Sequence, residues 1–390
     1  MIGKREIPKG LLIFLLISVL LGMVGAVEST SLANRLYEEL DFTVMQRSLL
    51  EAPREMPGLL SVFFFGVMNG LGDIRIAAVA NILGGIGLIF FGLVPNTFGL
   101  VLTFLVVYSI GQHLYMPLSQ TIAMTFAQGD HFGQRLGQIQ GLGSLSIIVS
   151  SGILFVLYKL INISYGVVFA MGGATMVLAG ILFIFLASRS ERIVSEKRFV
   201  FKKEYKMYYV LATINGARKQ ITLTFTPWLL ITVFGQPVTT ITALFFIVCV
   251  INVMFKPWFG RMIDRRGEIF ALKFEASVMF IACLGFACAK SVFSPKAALA
   301  VVGFCYIIDK LMESAYMARA TYVKRISKDE ADVARTLTMG QSMDHVISVC
   351  IPVFAGYAWY TGGADGYIYV FAGGLVISVV NFIVAGKLKY

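Results

Sequence analysis

Long apolar stretches recur along the whole chain, and short polar segments separate them. An α-helix needs about 20 residues to cross roughly 30 Å of hydrocarbon, and the length of each stretch is close to this value. Twelve stretches meet this length, at residues 10–32, 47–69, 75–94, 98–125, 138–160, 164–187, 206–234, 238–259, 270–290, 297–323, 336–359 and 366–386. The pattern therefore predicts twelve transmembrane helices.

The second stretch contains an unexpected polar sequence, EAPREMPG at residues 51–58. The uncharged run behind it has only about 14 residues, which is too short to span a bilayer. We therefore expect this helix to begin near Arg47 and to carry Glu51, Arg54 and Glu55 inside the membrane. Two interpretations stay open. The charges could neutralise one another and seal the outer mouth, or Arg54 could contact an anion while Glu55 carries a proton.

Composition supports an integral membrane protein. The chain of 390 residues is 57% hydrophobic and 14% charged, whereas soluble domains average about 45–50% and 25%. The formal net charge is +11. Lys and Arg concentrate in alternate loops, as the positive-inside rule requires, so the charge indicates no nucleic-acid partner. The same distribution predicts that both termini are cytoplasmic, in an inner or plasma membrane.

The chain also looks duplicated. A basic linker at residues 188–205 divides the predicted helices into two sets of six, residues 1–187 and 206–390. FFFGVMNGLGD (63–73) in the first half aligns with PWFGRMIDRRGE (257–268) in the second. Both segments join the second and third helices of their sets, so an internal repeat is indicated.

The sequence GRMIDRRG resembles the loop signature between helices 8 and 9 of the major facilitator superfamily, through Gly260, Asp264, Arg265 and Gly267. The first-half counterpart is degraded. The resemblance implies an all-α membrane protein with two pseudo-symmetric six-helix bundles around a central cavity and with alternating access. It further implies that this loop braces the cytoplasmic gate. The segment could instead be only a basic turn that obeys the positive-inside rule.

Ionisable side chains in hydrocarbon cost from about 2.5 kcal/mol upward, so they usually face a partner or a wet cavity. Several predicted helices place polar residues three or four positions apart, on one face. Besides the EAPREMPG face, these stripes are Tyr108, Gln112, Tyr115 and Ser119; Asn215, Arg218, Lys219 and Thr222; Tyr306, Asp309, Glu313 and Tyr316; and Gln341, Asp344, His345 and Ser348. We predict that the stripes line a common cavity.

Arg218 and Lys219 are adjacent cations near the predicted midplane. They require either acidic partners, for which Asp309 and Glu313 are candidates, or an anionic substrate that Arg218 could bind through two parallel hydrogen bonds. Both could hold in turn if substrate displaces an internal ion pair. The predicted substrate-binding residues are Arg218, Lys219, Arg54, Asn215, Gln112, Tyr115 and Tyr306.

Proton coupling requires a carboxylate whose burial favours its protonated form. The candidates, with a histidine that could relay the proton, are Glu313, Asp309, Asp344, Glu28 and His345. We found no nucleotide-binding loop, nucleophile elbow or metal-ligand cluster in the sequence, so neither an enzyme nor a cofactor is indicated. The five cysteines lie in apolar stretches without a CxxC pair, which argues against zinc and disulfides.

Taken together, these features predict a monomeric secondary active transporter that moves a small anionic organic solute, coupled to protons. The alternative within transport is a proton-driven exporter of cationic or amphipathic compounds, which would bind them through the acidic residues. An alternative of another class is a membrane receptor or lipid scramblase on the same scaffold. A receptor would be expected to carry a large soluble domain, and the longest predicted loop is the linker.

Overall fold

The computed structural model describes residues 9–68, 70–126, 132–187, 201–327 and 330–389, and these residues form helices and connecting turns without a β-strand. The helices are α1 Lys9–Asn34, α2 Val44–Met68, α3 Asp73–Leu93, α4 Phe98–Thr125, α5 Phe132–Val156, α6 Tyr165–Ala187, α7 Lys206–Thr232, α8 Val238–Arg266, α9 Glu268–Val292, α10 Pro295–Met312, α11 Tyr316–Ile326, α12 Glu330–Thr361 and α13 Gly366–Gly386. The prediction of an all-α fold is confirmed for this part of the chain.

Within the described residues, eight stretches are long and apolar enough to cross a membrane. They are Lys9–Glu39, Asp73–Leu93, Phe98–Ala123, Gln138–Ile161, Tyr165–Ala187, Val238–Arg266, Glu268–Val292 and Gly363–Gly386. The helices α2, α7, α10 and α12 are not among them. These four helices carry most of the charges that the sequence places inside the bilayer. Their charged side chains pair with one another in the clusters described below, as charges inside a membrane usually do.

Two boundaries bear directly on the sequence predictions. α2 begins at Val44 and continues through Pro53 and Pro57, so EAPREMPG is helical as expected. The predicted helix 297–323 is instead two helices, because a 3₁₀ turn at Glu313–Ala315 separates α10 from α11. The single-helix prediction was wrong there, since no proline marks the break, although α11 is more polar than α10.

The described residues form two compact units. The N-terminal unit draws on Met1–Leu32 and Leu60–Glu196, and the C-terminal unit draws on Ala33–Leu59 and Lys197–Tyr390. The first half of α2 therefore packs with the C-terminal unit. The predicted division into bundles 1–187 and 206–390 stays a prediction, and most of the predicted linker 188–205 lies outside the described residues.

Close backbone approach between α3 and α6 organises the N-terminal unit. A methyl group on Gly85 would lie 2.7 Å from the carbonyl oxygen of Gly173, and one on Gly173 would lie 2.6 Å from the carbonyl oxygen of Gly85. Small residues permit this contact between helices in lipid, where no hydrophobic driving force draws helices together. The core beside it contains Phe14, Ile17 and Phe183.

The two halves share a backbone feature that supports the internal repeat. Gly72 has φ 79° and ψ 154°, and Gly267 has φ 82° and ψ 164°. Each glycine precedes a helix whose first residue is a buried acid, Asp73 or Glu268. A positive φ of this kind favours glycine. The two segments therefore share a turn, in which Gly267 lies one position beyond the residue that aligns with Gly72.

The contact between α3 and α6 predicts a steric requirement at Gly85. We expect Gly85→Val to lower the free energy of unfolding by about 1–3 kcal/mol, because the new side chain would meet the α6 backbone. The control is Gly141→Val in α5, where a Cβ would meet no atom within 4 Å. Thermal unfolding of the purified variants in detergent measures both effects. Equal melting temperatures for the two variants would contradict the close approach.

Candidate functional site

Six charged side chains from five helices come together in the C-terminal unit. The cations are Arg218, Lys219 and Arg319, and the carboxylates are Glu275, Asp309 and Asp344. Their formal charges therefore balance. A balanced cluster is the arrangement expected when charges are withdrawn from water, since an unpaired buried charge is costly.

Arg218 on α7 lies at the centre of this cluster and is 2% exposed. Its Nε lies 3.2 Å from Glu275 Oε1, and its Nη1 lies 3.6 Å from Asp309 Oδ1. Its Nη2 donates a hydrogen bond of 3.2 Å to Asn215 Oδ1. The sequence analysis named Asp309 and Glu313 as possible acidic partners of Arg218. Asp309 does face Arg218, but the second carboxylate is Glu275 and not Glu313.

Glu275 is shared between two arginines. Its Oε2 lies 3.8 Å from Arg319 Nη1 and accepts a hydrogen bond of 3.2 Å from Asn381 Nδ2. The sequence predictions missed Glu275, Arg319 and Asn381 as members of the site. Glu275 and Asn381 belong to α9 and α13, which carry none of the polar stripes found in the sequence. The sequence does show Glu275 as a single charge within an apolar stretch. That signal does not indicate which cation it pairs with.

The pair Lys219–Asp344 joins α7 to α12 and is the accessible end of the cluster. Lys219 Nζ lies 2.6 Å from Asp344 Oδ1, and Asn215 Nδ2 donates a hydrogen bond of 3.2 Å to Oδ2. The side chains are 32% and 15% exposed. Gly216 allows the close approach, because a methyl group there would lie 2.6 Å from the Asp344 carbonyl oxygen. Sequence reasoning placed Asn215, Lys219 and Asp344 in one site, and the structure brings them together.

The centre of the cluster contains buried atoms whose hydrogen-bonding capacity is not used within the described residues. They are Nε and Nη1 of Arg218, Oε1 of Glu275 and both carboxylate oxygens of Asp309. Their ion pairs are longer or less well directed than hydrogen bonds. Most buried polar atoms in native proteins find a partner. The unused donors and acceptors at this centre could therefore form further hydrogen bonds if these side chains moved.

EAPREMPG, together with Arg47 one turn before it on α2, forms a second charge cluster. This cluster also lies within the C-terminal unit. Glu51 accepts hydrogen bonds from Arg47 and from Arg54 Nε, the latter at 2.7 Å. Arg54 Nη2 lies 3.2 Å from Glu55 Oε1, and Glu55 Oε2 lies 3.1 Å from His345 Nδ1 on α12. The geometry favours mutual neutralisation, because buried Arg54 contacts two carboxylates.

Glu313 differs from the expectation of a buried carboxylate beside Arg218. It lies in the 3₁₀ turn after α10, its side chain is 51% exposed, and its Oε1 lies 2.7 Å from Lys310 Nζ. The break in the helix turns Glu313 away from the stripe that a continuous helix would have formed. Tyr306, also on α10, is fully buried.

The predicted site residues of the N-terminal unit form a smaller group. Glu28 on α1 accepts hydrogen bonds from Tyr108 OH at 2.7 Å and from Gln112 Nε2 at 3.0 Å, both on α4. The polar stripe of α4 thus meets a carboxylate. Tyr115 belongs to the apolar core instead, with its ring 5.7 Å from that of Phe183.

The predicted gate residues lie where α8 meets α9. Gly260, Asp264 and exposed Arg265 occupy the last turns of α8, and Gly267 alone connects the helices. Asp264 lines a cavity of about 370 Å³ that α11 closes on its other side. The remaining lining residues are Ile263, Glu268, Thr321, Lys324 and Arg325. Four of its six lining residues are charged, and Glu268 Oε1 pairs with Arg325 Nη2 at 3.1 Å.

The shared position of Glu275 predicts a large effect of neutralising it. We expect Glu275→Gln to cost about 3–5 kcal/mol of stability, because it leaves two buried arginines with fewer carboxylate partners. The matched control Glu313→Gln should cost about 1 kcal/mol or less, since its ion pair is half-exposed. Thermal unfolding in detergent measures both. A Glu275→Gln protein as stable as Glu313→Gln would contradict the buried network.

Comparison with known proteins agrees with this architecture. A model of the Major Facilitator Superfamily matches residues 11–309. No curated protein sequence matches the chain. The solved structure of the nucleoside transporter NupG superposes with a TM-score of 0.76 at 13% identity, covering 98% of this chain and 100% of that one. The inward-facing, unoccupied bacterial homologue of the human lysosomal transporter Spinster superposes with a TM-score of 0.71 at 14% identity, covering 98% and 96%.

At these identities the neighbours establish the fold alone, and the family model supplies the membership. The superfamily consists of transport proteins embedded in lipid, in agreement with the apolar helices found here. The chain is therefore not an enzyme but an integral membrane transporter, and it belongs to the Major Facilitator Superfamily.

Proposed function

We propose that this secondary transporter moves a small organic anion and couples the movement to protons. The observation that supports the proposal best is the pair Lys219–Asp344. It is the accessible end of a balanced cluster that is otherwise buried. A solute that enters the cluster from water meets this pair before it meets Arg218.

Exchange at this pair links the solute to a proton. A carboxylate or phosphate group of the solute takes the place of Asp344 at Lys219. The displaced carboxylate of Asp344 would then be partly buried without a cation, which disfavours its charged form. Asp344 therefore takes up a proton. One negative charge and one proton enter together, so the cluster stays electroneutral.

The neighbouring residues have supporting roles in this proposal. Asn215 contacts both Asp344 and Arg218 and so transmits a change from one to the other. Glu275 and Asp309 hold Arg218 in place. Glu28 with Gln112 provides a second carboxylate for coupling, in the N-terminal unit. The α8–α9 turn braces the gate while solute and proton shift the balance between inward- and outward-facing states.

A second candidate rests on Glu313. Its half-exposed carboxylate, paired with Lys310, could bind the ammonium group of a cationic compound, as the exporter alternative requires. The structural neighbour NupG is described as a nucleoside transporter. Nucleosides therefore serve as uncharged ligands for comparison. A ligand panel therefore needs small anions, small cations and nucleosides.

We expect small carboxylates or phosphates to raise the melting temperature of the purified protein in detergent, because binding to the folded state stabilises it by mass action. The effect should be larger at mildly acidic than at mildly alkaline pH and absent in Lys219→Ala. Lys290→Ala removes an exposed lysine at the end of α9 and is the control that should keep the effect. Stabilisation by cations that survives in Lys219→Ala would favour the exporter instead.

The coupling step predicts a specific phenotype for Asp344→Asn, whose neutral amide imitates the protonated carboxyl group. In proteoliposomes, the variant should still exchange labelled anion across the membrane but should not accumulate it against a gradient when a pH gradient is imposed. Wild-type protein should do both. Accumulation by Asp344→Asn at the wild-type level would exclude Asp344 as the proton acceptor.

A further inference from the structure

α8 carries a charge that the clusters above do not explain. Lys256 lies ten residues before Arg266, the end of the helix, which places it about 15 Å from that end at 1.5 Å per residue. It is exposed and lies in a helix that is apolar enough to cross a membrane. A lysine at this depth requires either water or an anion.

The helix geometry directs Lys256 away from lipid. The exposed large apolar residues of α8 are Ile247, Val250, Ile251, Val253, Met254 and Trp258. At 100° per residue, four of them lie about 140–180° around the helix from Lys256, whereas Val250 lies about 120° and Val253 about 60° away. The buried residues of α8, which include Ile241, Phe259 and Ile263, all lie within about 80° of Lys256. The exposure of Lys256 is therefore exposure on the protein-facing side of the helix.

The cations of the two clusters already have carboxylate partners, and Lys256 does not. Lys219 pairs with Asp344, Arg218 and Arg319 pair with Glu275, and Lys310 pairs with Glu313. Among the described residues Lys256 makes no ion pair or hydrogen bond. A solute must displace a carboxylate to reach the paired cations, whereas Lys256 is available without displacement.

Three polar groups lie near this lysine, two of them on α8 and one in the turn after α10. The Cys249 thiol lies near enough to interact electrostatically with both Lys256 and Glu313. Asn252, one turn before Lys256, has a buried Oδ1 without a hydrogen-bond partner among the described residues. The four groups are thus an ammonium without a carboxylate partner among the described residues, an unused amide oxygen, a half-exposed carboxylate and a thiol.

We propose that Lys256 binds the anionic group of the solute as it enters, before that group exchanges with Asp344 at Lys219. This inference rests on the proposed function and adds a specificity-determining residue on a helix that the polar stripes do not include. The ligand chemistry is a carboxylate, phosphate or sulfonate, which a single ammonium binds as a point charge. The Asn252 amide and the Glu313 carboxylate would then select for hydrogen-bond donors on the same solute.

Cys249 provides a reporter that requires no knowledge of the solute. The test protein keeps Cys249 and has alanine at the other four cysteines, which are Cys283, Cys288, Cys305 and Cys350. Two thiol reagents of similar size are compared, the anionic sulfonatoethyl methanethiosulfonate and the cationic trimethylammonioethyl methanethiosulfonate. The measured quantity is the ratio of their reaction rates, which cancels any change in the reactivity of the thiol itself.

We expect Lys256→Ala to lower the ratio of anionic to cationic rates about tenfold, the effect of one nearby charge that is partly shielded from water. Lys256→Arg should preserve the ratio, and the control Lys290→Ala should leave it unchanged. An unchanged ratio in Lys256→Ala would overturn the proposal. So would a Cys249 that reacts with neither reagent in the folded protein but reacts after unfolding, because the face would then not be open to water.

Added ligands separate the sources of the anionic group and separate this inference from the proposed function. Ethanesulfonate should slow labelling of Cys249 in wild-type protein and not in Lys256→Ala. Protection by phosphatidylglycerol and not by ethanesulfonate would assign Lys256 to a lipid headgroup and overturn the proposal. If small anions stabilise Lys256→Ala as strongly as wild type, this inference fails while the proposed function stands. If the labelling ratio depends on Lys256 but no small anion stabilises the protein, the proposed function fails instead.

Discussion

The C-terminal unit depends on one constraint, which is that a charge withdrawn from water must meet an opposite charge. The penalty for leaving a buried ion without a partner is several kcal/mol, so the helices that carry Arg218, Glu275 and Asp309 must place them together. The close contact of α7 with α12 at Gly216 serves the same requirement, because it lets Lys219 reach Asp344. The fold and the charge cluster are therefore one arrangement.

The same constraint connects the structure to transport. In the proposed function, a cluster with equal numbers of cations and carboxylates stays electroneutral on accepting an anion because one carboxylate takes up a proton. The proposed coupling to a proton therefore needs no residues beyond those of the cluster. In the proposals above, the accessible pair Lys219–Asp344 and the ammonium of Lys256 are the two positions at which an anion is held during this exchange.

The sequence predicted those features that depend on one helix at a time. The length of the second apolar stretch was enough to place EAPREMPG inside a helix, and spacing was enough to put Asn215, Lys219 and Asp344 on polar faces. Partner choice depends on how each helix is rotated about its axis, and composition does not reveal this rotation. Glu275 was therefore missed, and Glu313 was assigned to Arg218 although a 3₁₀ turn directs it to Lys310. Lys256 was overlooked because it lies on a helix outside the predicted polar stripes.

Exchanging the charges of the accessible pair tests the central claim most directly. The variants Lys219→Asp and Asp344→Lys each leave two like charges together, whereas the double variant restores an opposite pair in reversed orientation. The measurement is the melting temperature of the three proteins and the wild type in detergent. The account predicts that both single variants unfold at lower temperature and that the double variant recovers most of the loss. A double variant no more stable than the single variants would contradict the claim that this ion pair holds α7 and α12 together.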